Sequence, residues 1–338
     1  MTVGRVTTTQ IWASSTNNIQ SNKARLSQLT AQSSSGLLVT KASDDPVAAA
    51  SIMQVLGQQS ANAQYATNIG DGLGWLSTAD STMTSSENLV RQAKDLAIQA
   101  GNSATATPAS RTAIATQLEG IRDDLLSRAN TQYNGRSVFA GTSDASTAFS
   151  TTAPFTYNGA TVPAAGTGGT TGVPAVPVSA GGVTRRIGDG PTDTVTVSAD
   201  GLAAFGSGAS SVFQQIQNVI DALRSPAYDT GVTVPASGTS PAVLSPKDAV
   251  SAGIDDLNGA LTNLSAQHAI VGANYARMTS AKTQNATTAT ALETQRSGLQ
   301  DADTTKTLLD LKTQELAYQT ALQVTAQVLQ PTLMSFLR

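Results

Sequence analysis

Two adjacent carboxylates, Asp44 and Asp45, stand directly before Pro46 and a run of alanines. Neighbouring carboxylates could act as a general acid and base, or they could bind a cation. The same order also starts a helix, because Asp accepts hydrogen bonds from the first free backbone amides and Pro is favoured at the first helical position. No histidine is near in the sequence. We therefore predict that Asp45 caps a helix beginning at Pro46, with Asp44 adding negative charge at its positive end.

Other residues that could do chemistry are few. The chain has one histidine, His268, and no cysteine, which excludes multi-histidine zinc sites and thiolate metal sites. His268 falls on the apolar seam of a predicted helix, which favours a partly buried core residue over a ligand. Further carboxylates are close together within helical patterns, where solvated helix faces explain them better than acid–base pairs: Asp123 and Asp124, Asp255 and Asp256, Asp301 and Asp303. We expect no enzymatic activity, no metal and no cofactor.

The composition narrows the class of protein. The chain has 338 residues, a net charge of -3, 4% aromatic and 13% charged residues. This make-up favours long helices with thin apolar seams over an aromatic-rich enzyme core. No run of Lys and Arg forms a phosphate-binding stripe, and no apolar run is long enough to span a bilayer. The first residues also lack the apolar segment of a cleavable signal peptide.

Both ends of the chain carry a coiled-coil pattern, in which apolar residues recur every seven positions. At the start, a helix is predicted over residues 10–36, with Ser15, Asn22 and Ser33 as polar seam residues that lower stability but fix the register. At the end, a helix is predicted over residues 303–338, which Pro331 is expected to kink or to end. The residues that we predict to form the assembly interface are Trp12, Ile19, Leu26, Leu29, Leu308, Leu322, Leu329 and Phe336.

These two terminal helices are predicted to pair with each other and with copies in neighbouring subunits. Their seams bury little apolar area, so we expect them to be poorly packed in the free monomer and ordered in the assembly. Ordinary packing within one chain is the competing interpretation of the same periodicity.

Between the terminal helices, helical patterns flank a segment with short β-like stretches. Helices are predicted from Pro46, over 72–100 and 109–132, near 211–225, and over 246–298. Apolar residues recur every seven positions in two of them: Leu76, Met83 and Val90 in the 72–100 helix, and Val250, Leu257, Leu264, Val271 and Met278 in the 246–298 helix. The β-like stretches are separated by turn residues, and Arg185-Arg186 is predicted to be a surface pair on them. The predicted fold is mainly α: an elongated, discontinuous helical bundle with paired terminal coiled-coil helices and a small β-rich insertion. The predicted divisions are 1–42 and 299–338 for the terminal helices, 43–140 and 213–298 for the two bundle halves, and 141–212 for the insertion.

Two long stretches resemble the bacterial flagellin superfamily. Residues 24–53, ARLSQLTAQSSSGLLVTKASDDPVAAASIM, are similar to its N-terminal signature of a helix, an S-x-G turn and a D-D pair. Residues 298–338 are similar to its terminal helix with a D-A-D motif. SDDPVAA and NGRSVFAGT resemble the branch of hook-associated proteins, whereas LVRQAKDLAIQA (89–100) resembles flagellin itself.

The resemblance implies a structural adaptor of the flagellum that joins hook to filament. It further implies type III export without a cleaved signal peptide, an extracellular location on the flagellum, and assembly with other copies of itself. The implied partners are a FlgK-type junction protein, flagellin and a cytoplasmic export chaperone. One alternative is flagellin, the filament subunit, and a more distant one is a surface glycan-binding protein acting through the β insertion.

Overall fold

The computed structural model describes residues 8–102, 107–159, 161–163, 177–179, 182–228 and 245–336. This description leaves out the side chains of residues 8, 9, 11, 161–163, 177–179 and 328–336. The chain divides into two compact units. Unit 1 comprises Met1–Ala63 and Thr287–Arg338, and unit 2 is Gln64–Ala286. The low-complexity stretch GTGGTTGVPAVP (166–177) suggests a loop, but apart from its last residue it lies outside the described residues, as do residues 229–244.

The described part of the chain is mainly helical, as predicted, and the helices begin and end close to their predicted limits. The helices are α1 Thr8–Ser35, α2 Pro46–Gly101, α3 Pro108–Ala129, α4 Gly201–Phe205, α5 Val212–Arg224, α6 Pro246–Gln300 and α7 Thr304–Phe336. The backbone of α7 remains helical past Pro331. None of the helices within the described ranges is long and apolar enough to cross a membrane.

α2 is one continuous helix of 56 residues, whereas the sequence predicted one helix from Pro46 and a second one over 72–100. Three glycines lie where the two predicted helices join: Gly70, Gly72 and Gly74. Each glycine inside a helix costs only about 1 kcal/mol relative to alanine, which long flanking segments can offset. Two of them also make room for neighbouring side chains. A Cβ at Gly72 would lie 2.5 Å from Cε of Met278, and a Cβ at Gly74 would meet the hydroxyl of Tyr133.

The helical core of unit 2 follows the predicted seven-residue repeats. On α2, Leu76, Met83 and Val90 are fully buried. The α6 row is buried in the same core cluster: Val250, Leu257, Leu264, Val271 and Met278. Heptad positions on both helices thus mark their core-facing sides, as the sequence predicted.

Three short antiparallel strand pairs occur in the described part of the chain. The first, β1 (Gln132–Tyr133) with β2 (Arg136–Ser137), turns at Asn134 and Gly135. Both turn residues have positive φ, 50° and 77°, which is why Asn-Gly suits this position. The other strands are β3 Thr161–Pro163 paired with β4 Pro177–Ser179, and β5 Thr184–Arg186 paired with β6 Thr194–Thr196.

The insertion has less strand than its sequence suggested. SVFAGT (137–142) forms turns after Ser137. Val138, Phe139 and Ala140 are all fully buried, so this stretch does not alternate between core and solvent as a half-buried strand would. It packs instead into an aromatic core that contains five of the six phenylalanines of the chain: Phe139, Phe149, Phe155, Phe205 and Phe213.

The β5–β6 hairpin is attached to α2 by polar contacts. Arg185 donates from Nε to Oδ2 of Asp71 at 2.7 Å, and the hydroxyl of Tyr65 lies 2.5 Å from Oδ1 of Asp189. Arg185 therefore makes a specific contact to a helix, and the prediction of a plain surface pair was wrong for it. Arg186 does face outward, where its guanidinium donates to the carbonyls of Gly188 and Asp189.

Candidate assembly interface

α1 and α7 pair along their length in unit 1. On α1 the covered positions are spaced by four or three residues, as in a coiled-coil seam. Leu29 is only 6% exposed, and five residues are half-buried: Ser15, Ile19, Asn22, Leu26 and Gln32. Three of the predicted interface residues, Ile19, Leu26 and Leu29, therefore lie in the pair. Trp12, seven residues before Ile19, is more open to solvent, with 52% of it exposed.

On α7 the covered row lies one position away from the predicted one. Thr307 is buried, and the half-buried residues that continue its heptad row are Leu311, Gln314, Tyr318, Ala321 and Thr325. The predicted Leu308 and Leu322 lie beside this row, with 52% and 42% exposure. The backbone at Leu329 and Phe336 continues α7, but their side chains lie outside the described residues.

A polar contact in the middle of the seam links the two helices. Gln314 donates from Nε2 to Oδ1 of Asn22 at 3.2 Å and lies 3.3 Å from the backbone carbonyl of the same residue. Such a pair forms its hydrogen bond in one register only. If one helix slid along the other, the two half-buried side-chain amides would lose their partners. Of the other predicted polar seam residues, Ser15 is half-buried but Ser33 is exposed, and its neighbour Gln32 donates to the carbonyl of Leu38.

The base of the pair is held by a short backbone ladder. Gly36 directly follows the last residue of α1, and its φ of +70° is a conformation that glycine adopts without strain. The next residue, Leu37, forms an antiparallel bridge with Asp301. Leu38 donates its amide to Gln300, and Ala302 donates to Gly36, at 2.7 and 2.8 Å. The segment after α1 is thus fixed to the segment before α7.

Aspartates at the starts of α2 and α7 accept hydrogen bonds from backbone amides. Oδ1 of Asp45 accepts from the amides of Val47 and Ala48 at 3.0 Å each, so Asp45 caps α2. Asp303 caps α7 in the same way, accepting from Thr305 and Lys306. Asp301 and Asp303 were expected within a helix, but they lie in the connection between α6 and α7.

Asp44 contributes differently from its neighbour. Its Oδ2 accepts from the amides of Thr40 and Lys41 and from the hydroxyl of Thr40, at 3.0–3.2 Å. These hydrogen bonds, the one from the Thr40 hydroxyl first, lower the pKa of Asp44 below its ordinary value. The carboxylate therefore stays ionised and closes the turn that precedes α2.

Apolar side chains remain exposed on α7 outside the seam. They are Leu308, Leu309, Leu316, Leu322 and Val324, each between 42% and 67% exposed. On the described side chains of α1, Trp12 is the one large apolar residue exposed to this degree. A helix that pairs on one side and presents leucines on another is typical of a surface that binds a further protein. Over the described ranges, no group of three or more His, Asp or Glu side chains could hold a metal ion.

Sequence models of the bacterial flagellin N-terminal and C-terminal helical regions match residues 6–144 and 254–337. Together these matches cover most of the chain and include α1, α7 and the ladder between them. The chain belongs to the flagellin family. In this flagellin-family chain, the two matched regions are the ones whose helices form the terminal pair.

Individual relatives of this flagellin-family chain fall into two groups. Flagellar hook-associated protein 3 of Salmonella typhimurium is 33% identical over 138 residues, which is 40% of this chain and 43% of that protein. The protein of that name from Escherichia coli is 27% identical over 228 residues, 67% of this chain and 68% of its own length. Flagellin of Bacillus subtilis is 27% identical over 134 residues, 39% of this chain and 44% of that protein. The chain thus spans less than half of the Salmonella relative.

Solved structures of similar fold come from flagellar proteins as well. A flagellar hook-associated protein from Vibrio parahaemolyticus aligns with a TM-score of 0.58 and 18% identity, covering 76% of this chain and 100% of that one. The flagellar junction protein FlgL from Legionella pneumophila aligns with a TM-score of 0.52 and 13% identity, covering 74% and 99%. At such identities the likeness shows a shared fold, a helical bundle with a small β insertion.

Proposed function

We propose that this chain is a structural adaptor of the bacterial flagellum that joins hook to filament and assembles through its terminal helices. The observation that carries the proposal is the length of the similarity to a hook-associated protein. It extends over 228 residues, whereas the flagellin of Bacillus subtilis aligns over 134. The paired helices α1 and α7, with leucines exposed on α7, give this role a physical basis.

In this proposal the two sets of predicted interface residues have different tasks. Ile19, Leu26 and Leu29 hold the terminal pair together within one chain. Trp12, Leu308 and Leu322, which are exposed, contact neighbouring copies and partners. The partners proposed from the resemblance are a FlgK-type junction protein on one side, flagellin on the other, and an export chaperone before secretion. The proposed location is the outside of the cell, on the flagellum, and the proposed role is structural rather than enzymatic.

Deletion of the gene in its own motile host tests this function. Hooks without filaments, with flagellin lost to the medium, are the expected result. A second candidate is flagellin itself, supported by the similarity to the Bacillus subtilis protein. In that case, the mutant would make no filament protein at all, while the junction proteins would still be found at the hook tip.

In the free monomer, we expect backbone amides across residues 10–35 and 305–335 to exchange with solvent faster than those of α2 within unit 2. The reason is the small apolar area of the α1–α7 seam, in which Leu29 and Thr307 are the buried members along the described stretch. In contrast, α2 buries Leu76, Met83 and Val90 completely. Hydrogen exchange with mass spectrometry measures this difference. Protection of the terminal helices equal to that of α2 would contradict the idea that assembly orders them.

A further inference from the structure

His268 bridges two long helices of unit 2 through both nitrogens of its ring. It lies on α6, and two carboxylates of α2 face it. Its Nδ1 is 3.0 Å from Oε1 of Glu87, and its Nε2 is 3.0 Å from Oδ1 of Asp80. Asp80 and Glu87 are separated by two helical turns, or about 10 Å along α2, and therefore lie on the same side of that helix. The imidazole fits between them, with one nitrogen directed at each.

This geometry depends on the protonation state of the ring. A neutral imidazole has one N–H donor and one acceptor nitrogen, so it can donate to only one carboxylate. The other nitrogen would then present its lone pair to a negatively charged oxygen. The doubly protonated ring donates to both carboxylates and also balances part of their charge. Only this charged form satisfies both 3.0 Å contacts.

The groups around the ring make the loss of a proton costly. Glu87 is buried, with 11% of its side chain exposed, whereas 52% of the Asp80 side chain is exposed. The second oxygen of Glu87 accepts from Arg91 of α2 at 2.8 Å, and Ser265 of α6 lies 3.4 Å from the first. A buried carboxylate requires such partners, because an ionised group that is removed from water without a hydrogen bond or an opposite charge destabilises the fold.

We propose that His268 is a proton-dependent clasp between α2 and α6, closed when the ring carries two protons and weakened when one is lost. The clasp does not depend on the proposed role in the flagellum, because it lies entirely within unit 2. It makes the stability of this unit respond to the pH around the protein.

The direction of the response follows from the same contacts. Burial lowers the pKa of His268, but the hydrogen bonds from the ring to Glu87 and Asp80 outweigh it and raise the pKa above the ordinary value. The clasp therefore contributes its full stability below about pH 6.5, the ordinary histidine value. That contribution is lost as the pH rises through the higher pKa of the folded state. The chain has one histidine and no cysteine, so His268 is the side chain whose ordinary pKa lies near neutrality.

The first measurement is a titration of the full chain followed by NMR of the imidazole protons, which one histidine makes unambiguous. We expect a midpoint above about 6.5. We also expect a lower midpoint in Asp80→Asn and an unchanged one in Asp95→Asn, which removes a carboxylate from an exposed position further along α2. A wild-type midpoint at or below the ordinary value, or an Asp80→Asn midpoint equal to that of the wild type, would overturn the proposal.

The second measurement is urea unfolding of unit 2 at several pH values between 6 and 9. The chain has two tryptophans, and Trp75 is the one within unit 2, so Trp12→Phe leaves a single reporter. In this background the unfolding midpoint should fall as the pH rises, and His268→Gln should remove most of that dependence. Equal pH dependence with and without His268 would refute the clasp. If His268→Gln does not fold, Asp80→Asn provides the same comparison, because Asp80 is half exposed.

Discussion

A chain carrying Leu308→Glu and Leu322→Glu is expected to fold but to fail in assembly, leaving the host without filaments. Both leucines lie beside the seam of α7 and are about half exposed in the free chain. In an apolar interface with a neighbouring copy, two unpaired carboxylates would cost at least about 3 kcal/mol together. That corresponds to about a hundredfold loss in the association constant. The measurement is complementation of a deletion strain, with filaments counted by electron microscopy and flagellin assayed in the medium.

The matched control is Thr313→Glu with Thr320→Glu. Both threonines are also exposed on α7, and their hydroxyls donate to the carbonyls of Leu309 and Leu316 in the same helix. The two glutamates add the same charge as those of the leucine variant. The control should restore filaments, and far-UV circular dichroism should show that both double variants keep the helical content of the wild type. Filaments restored equally by the leucine variant would show that these side chains take no part in assembly.

Replacing Phe149 by alanine should destabilise unit 2 by about 3–5 kcal/mol, the usual range for removing a fully buried phenylalanine. Phe149 is completely buried, and its ring centroid lies 5.2 Å from that of Phe213 on α5 and 5.7 Å from that of Phe205 on α4. Its loss would therefore leave a cavity at the centre of the aromatic core that joins the insertion to these helices. Urea unfolding followed by the fluorescence of Trp75 measures the change in the free energy of unfolding.

A smaller change at the same position provides the control. Phe149→Leu retains most of the volume and should cost clearly less than Phe149→Ala. If the alanine variant loses less than about 1 kcal/mol, the site must collapse around the cavity, and Phe149 would not be central to the core. Hydrogen exchange across α1 and α7 should be the same in both variants, because Phe149 lies in unit 2.

The helices and their core-facing rows could be predicted from the sequence, because a seven-residue apolar repeat identifies the buried side of a long helix. The row on α6 from Val250 to Met278 is the clearest example. The partner-facing row of α7 could not be predicted in the same way. Leu308 and Leu322 are more apolar than Thr307 and Gln314, yet the latter face α1, because Gln314 finds a hydrogen-bonding partner in Asn22. The apolar repeat of one helix therefore does not by itself identify the row that faces a partner. The polar residues of both helices must also be considered, because a hydrogen bond between them can decide which row faces inward.

Contacts between side chains far apart in the sequence were also beyond prediction. Nothing next to Arg185 in the sequence indicates its contact with Asp71, and His268 gave no sign of its two carboxylate partners on α2. The acidic pairs near the ends of the terminal segments were more informative. Asp45 was predictable as a cap because Pro46 follows it, whereas Asp303 has no such neighbour, and its capping role emerged only from the structure.

The two units differ in how their chain segments are ordered in the sequence, and this affects the order of folding. Unit 2 is a single uninterrupted stretch of the chain, so it can fold without either end of the chain. Unit 1 draws on both ends of the chain, and the hydrogen bond from Gln314 to Asn22 closes a loop of 292 residues. Closing so long a loop carries an entropy cost that prior folding of the intervening stretch reduces, because it shortens the effective loop. Unit 1 should therefore form last, and its N-terminal helix must wait for the final helix before it gains a partner.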